Sequence, residues 1–135
     1  METKSLSEST ICCFGDSTTW GDNGCGAGGN DISWTSHLGA LLGGAVVENF
    51  GIKGSRIAIK ADRTDSFVER LDGIDDAADI YIVFGGVNDF SRNVPLGELG
   101  STDVHEFYGA LDYLIRTITA RSPQANAPTC WCSMT

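Results

Sequence analysis

The sequence predicts an α/β protein built around a parallel sheet. Three strand-like runs, Ile11–Phe14, Ala45–Phe50 and Ile80–Phe84, each stop at a glycine. Segments with helical spacing follow each of them, and strand alternating with helix is the pattern of parallel crossover units. A polar or glycine-rich motif also stands directly after every strand, where open parallel sheets place their ligand crevice.

The first run, Ile11-Cys12-Cys13-Phe14, is apolar on both faces and ends at Gly15, as a fully buried strand does. A loop rich in Gly, Asn and Asp leads to a helix that Ser33 can cap. Its apolar positions are Trp34, Leu38, Leu41 and Leu42, and Gly43-Gly44 ends it. The second strand breaks at Gly51. A short helix follows, in which Ser66 and Glu69 form a capping-box pattern ahead of the stripe Phe67, Val68, Leu71 and Ile74. The third strand, Ile80–Phe84, closes at Gly85-Gly86. A polar loop then leads to the longest helix, with Asp103 as the expected cap, Glu106 three residues on, and Val104, Phe107, Tyr108, Leu111, Leu114, Ile115 and Ile118 along one face. From Ser122 both periodicities fail, so residues 1–121 read as the domain and 122–135 as an irregular tail.

The chemistry sits at the strand ends. Gly15-Asp16-Ser17 places a serine on a sharp turn, where its hydroxyl projects into the crevice as a nucleophile must. Asn49 to Arg56 contains Gly54, which lets a bare backbone N–H approach an oxyanion. Gly86-Val87-Asn88-Asp89 offers the Asn88 amide as a neutral donor. Each motif alone has an ordinary turn reading; their recurrence at three successive strand ends carries the argument.

These motifs resemble the SGNH hydrolase family, the GDSL esterases and lipases. Gly15-Asp16-Ser17 matches its first block, Gly54 its second and Gly86-Val87-Asn88-Asp89 its third, with 37 and 34 positions separating Ser17, Gly54 and Asn88. The resemblance runs from about Thr10 to about Arg121. It implies a flavodoxin-like three-layer fold, incomplete at the C-terminus. It also implies Ser17 as nucleophile, with the Ser17 and Gly54 N–H groups and the Asn88 side chain as the oxyanion hole. Asp16 and Asp89 would brace the loops. Trp20, Lys53, Arg56 and Arg92 are candidates for the substrate entrance, with solvent-facing roles expected for the three charged ones.

The family's fourth element is a histidine preceded three residues earlier by aspartate. The two histidines present, His37 and His105, have Trp34 and Thr102 at that position, so both read as surface residues. Without a base the serine stays a protonated alcohol, and the chain alone is expected to be nearly inert. We therefore expect truncation or a frameshift near Ser122, leaving Ile80–Phe84 as an open edge that invites self-association. The leading reading is an esterase or lipase of small acyl or acetyl esters, on carbohydrate or lipid. The alternative is a non-catalytic binding or assembly module on the same fold. A flavin-binding protein is disfavoured by Asp16 and Asp22 where a phosphate would sit, so no cofactor is expected.

Composition narrows the partners. The formal net charge of −9 repels phosphate backbones, which argues against nucleic acid. No run reaches the ~20 apolar residues of a membrane span. The polar N-terminus has no apolar core of a signal peptide, so a cytoplasmic protein is expected, or a secreted one if a leader was removed. The five cysteines make no zinc pattern: Cys12 and Cys13 should face opposite sides of a strand, Cys25 lies in a glycine-rich loop, and Cys130 and Cys132 form a C-x-C. They read as buried or incidental thiols.

Overall fold

The computed structural model describes residues 4–74, 77–121 and, as backbone, 129–133. The three expected strands form as β1 (Thr10–Gly15), β2 (Val46–Gly51) and β3 (Ile80–Gly85). They pair in parallel, with Gly15 opposite Gly51 and Phe84 opposite Gly15, so all three carboxyl ends open on one side. A fourth strand, β4 (Thr129–Ser133), pairs in parallel with β3 and completes the order β2-β1-β3-β4.

β4 corrects two expectations. The segment from Ser122 is not irregular throughout, and the third strand is not a sheet edge. Thr-Cys-Trp-Cys-Ser has a single large apolar residue, too little to show a period. The pairing groups along β3 supply what the local pattern lacks. The rest of that tail, 122–128 and 134–135, lies outside the described residues, as do the first three residues of the N-terminus.

Helices cover both faces, as right-handed crossovers require. On one side stands α2 (Trp34–Leu41), capped by the Ser33 hydroxyl, which accepts from the Thr35 N–H at 3.2 Å. It packs Trp34 and Leu38 on Ile11, Cys13, Val47 and Ile82. On the other side are α3 (Phe67–Arg70) and α5 (Phe107–Arg121). They enclose Cys12, Phe14, Phe67, Leu71, Tyr81, Val83, Leu114 and Ile118 in one buried cluster. Cys12 and Cys13 thus face opposite layers. The Ser66–Glu69 capping box of α3 forms with both reciprocal bonds, at 3.2 and 3.0 Å.

α5 starts later than its sequence suggests. The Phe107 and Tyr108 N–H groups donate to the Pro95 and Leu96 carbonyls at 2.9 and 3.1 Å, so a preceding loop takes the role expected of Asp103. Asp103 instead accepts from the His105 N–H in a turn ahead of the helix, and Glu106 accepts from the Ser101 hydroxyl. Two single-turn helices were not foreseen: α1 (Ser17–Trp20) directly after β1 and α4 (Val87–Ser91) directly after β3.

Candidate active site

Ser17 is the first residue of α1, half-buried at the carboxyl end of β1. Asp16, 1% exposed, caps that helix by accepting from the Thr18 N–H at 3.0 Å. The turn is tight because Gly15 and Gly51 leave no room for anything larger. A Cβ at Gly15 would lie 2.1 Å from the Thr19 hydroxyl, and one at Gly51 2.1 Å from the Trp20 nitrogen. α1 therefore rests directly on the glycines that end β1 and β2. Asn49, inside β2, fastens the same region by donating to the Thr19 carbonyl at 2.7 Å and the Thr35 hydroxyl at 2.9 Å.

The second strand end carries Gly54, at φ +76°, in the left-handed region that favours glycine. Its neighbour Ser55 is buried and offers its backbone carbonyl to the Asn88 side chain, whose Nδ2 donates at 2.9 Å. One of the two Asn88 amide protons is thereby used to orient the group, and the other is left to donate. Asp89, 1% exposed, accepts from the Ile57 and Ala58 N–H groups at 2.8 and 3.0 Å, tying the third loop to the second. Burial pushes the carboxyls of both Asp16 and Asp89 above the usual aspartate range, against the pull of their hydrogen bonds. Both act as internal struts.

Three donors remain open on the loops after β1 and β2. Among the described residues, the backbone N–H groups of Ser17 and Gly54 and the Ser17 hydroxyl have no hydrogen-bond partner. No histidine serves Ser17 among them either. His37 is exposed on α2, and the exposed His105 is paired through Nδ1 with Asp103 at 2.9 Å. His105 stands in the turn before α5 and not on the helix.

At the entrance, Lys53 pairs with Asp22 at 2.9 Å and sits 4.9 Å over the half-buried Trp20 ring. Arg92 is exposed. Arg56 departs from the expected solvent-facing role: it is only 7% exposed and its guanidinium pairs with Asp62. Sequence reasoning missed Arg63 and Arg70. Arg63 donates to Asp65 and to the Lys53 carbonyl and lies against Gly54. Arg70 reaches into the strand ends themselves. A basic residue in a loop or on a short helix reads as solvated, and nothing local marks these as inward-facing. Among the described residues no group of three acidic, histidine or cysteine side chains could hold a metal ion, and no helix is long and apolar enough to cross a membrane.

A turn serine, a left-handed glycine and an oriented asparagine at the strand ends of a parallel sheet define an α/β domain with its polar groups gathered at one end. The comparisons make that specific. The profile of the GDSL-like lipase/acylhydrolase family matches residues 13–134, and the chain belongs to that family. The match runs past Arg121, where the resemblance in the motifs stopped, and takes in β4.

A solved crystal structure is 90% identical over 96% of this chain, with a TM-score of 0.91, and the chain covers 58% of its length. A Lactobacillus plantarum protein of solved structure is 31% identical, with a TM-score of 0.74, covering 94% of this chain and 56% of its own. AlinE4, an SGNH-hydrolase family esterase, is 22% identical with a TM-score of 0.64, covering 97% of this chain and 60% of its own, and shares the fold. The chain thus spans a little over half the length of these solved structures. No curated protein matches it in sequence.

Proposed function

We propose that this chain carries the nucleophile and oxyanion half of a serine ester hydrolase. Ser17 Oγ attacks the ester carbonyl carbon and releases the alcohol, leaving an acyl-serine that water then cleaves. The Ser17 and Gly54 N–H groups and the free Asn88 amide proton receive the charge that develops on the carbonyl oxygen. The observation that carries this reading is that the Ser17 and Gly54 N–H groups and the Ser17 hydroxyl, all just after strand ends, have no partner among the described residues, with Asn88 already oriented by the Ser55 carbonyl. Preorganised donors of this kind are worth about 10² to 10³ in turnover apiece. Small acyl or acetyl esters, borne on carbohydrate or lipid, suit a crevice at the surface of the sheet.

The missing contribution is the base. In this chain the Ser17 proton must pass to a base from outside, because His105 is engaged with Asp103 and His37 is exposed on another helix. The same observation favours a second reading, a non-catalytic binding or assembly module that keeps the crevice. The two separate in a p-nitrophenyl acetate assay with and without added imidazole. The hydrolase reading expects slow cleavage that imidazole accelerates, lost in Ser17→Ala. Equal rates for the native chain and Ser17→Ala at every imidazole concentration would leave the binding module.

A further inference from the structure

Arg70 is a half-buried charge that the proposed chemistry does not use. Its guanidinium lies 4.6 Å from the centre of the Phe14 ring and 5.1 Å from that of Phe67. It makes four hydrogen bonds, none to a carboxylate. Nε donates to the Asp65 carbonyl at 2.9 Å and Nη1 to the Phe50 carbonyl at 2.8 Å, while Nη2 donates to the Gly15 carbonyl at 3.0 Å and the Ser55 hydroxyl at 2.9 Å. These acceptors lie at the end of β1, at the end of β2, and in the loop that follows it. Ser55 in turn passes its own proton to the Asp65 carbonyl at 2.5 Å and holds Asn88 through its backbone oxygen.

Burying a guanidinium among aromatic rings is costly, and a well-packed apolar side chain of similar volume would often be as stable or more so. What the charge provides is direction: a rigid planar fork that reaches several carbonyls at once, which the single ammonium of lysine cannot reproduce. Resting on the oxyanion role given above to Ser17, Gly54 and Asn88, we propose that Arg70 is the positioning residue of the site. Its fork fixes the Ser17 turn against the Gly54 loop and, through Ser55, sets the Asn88 amide. Burial pushes the Arg70 pKa down to about 10, so the group remains charged at neutral pH.

The Asn88 side-chain amide reports this directly by ¹⁵N NMR on the full chain. In Arg70→Lys, with a dispersed and folded spectrum, its protons should exchange with water roughly tenfold faster as the bond to Ser55 loosens. Ser55→Ala, which removes the hydroxyl and keeps the carbonyl, should give a smaller acceleration of about threefold, and it decides the matter if Arg70→Lys does not fold. Phe67→Leu is the control: it loosens packing beside Arg70 while leaving every acceptor in place, so it should lower Tm with the Asn88 signal unmoved. An unchanged Asn88 amide in folded Arg70→Lys or Ser55→Ala overturns the proposal. So does an equal shift in Phe67→Leu at matched loss of stability. The imidazole-dependent ester assay is read separately, so failure of the hydrolase reading is distinguishable from failure of this one.

Discussion

Cys12 and Cys13 are neighbours in β1, yet each belongs to a different layer of the protein, and Cys25 is exposed in the glycine-rich loop. Burial pushes the Cys13 thiol up to about 12, so it holds its proton at any ordinary pH and cannot act as a thiolate. Iodoacetamide at about pH 8 should therefore modify Cys25 and spare Cys12 and Cys13 until denaturant is added. Peptide mass mapping tests this; modification of Cys13 in the folded chain as fast as Cys25 would contradict the burial. Single residues also show where sequence reading stops. Ser17, Gly54 and Asn88 were marked by their positions after strands. Arg70 carried no such mark, because all its acceptors except the nearby Asp65 carbonyl are distant in sequence, and one is Gly15 at the far end of the domain's first strand.

Among the elements, β1 and β3 are tied at their starts by one carboxylate. Asp79 accepts from the Thr10 N–H at 2.8 Å and from Lys4 Nζ at 2.5 Å, and these bonds, Lys4 first, hold its carboxyl below the usual 3.8. A depressed carboxylate stabilises the fold above its unfolded pKa and loses that contribution as pH falls through its folded value. Asp79→Asn should accordingly be less stable than the native chain at about pH 6, with the gap closing towards about pH 3. Urea midpoints at the two pH values measure it; a gap that stayed constant would argue that the bond to Lys4 and Thr10 is not what lowers the group. The long elements were legible because their periods had room to repeat. α1 and α4 span single turns, too short for any helical stripe, and the start of α5 moved because carbonyls of Pro95 and Leu96 took its first N–H groups.

For the whole molecule, the sheet order decides what is exposed. β4 covers the edge of β3, a strand whose run of Ile, Tyr, Val and Phe would otherwise be a template for pairing. A chain ending at Arg121 should melt at a lower temperature and self-associate at concentrations where the longer chain does not. Sedimentation velocity and thermal unfolding of the two check this, and identical behaviour would mean that β4 does not protect the edge.

By itself the sequence determined the first three strands, the capped helices α2 and α3, and the position of Ser17, Gly54 and Asn88 directly after strand ends. Each of these is coded over a few neighbouring positions, by apolar period, capping pattern or a glycine where a strand must stop. Only the tertiary structure decided that Thr129–Ser133 is a strand and that Arg56 and Arg70 point inward. The physical reason is the same in each case: the deciding partner is a backbone carbonyl, a strand edge or a carboxylate brought close by folding, and no local pattern announces which one it will be.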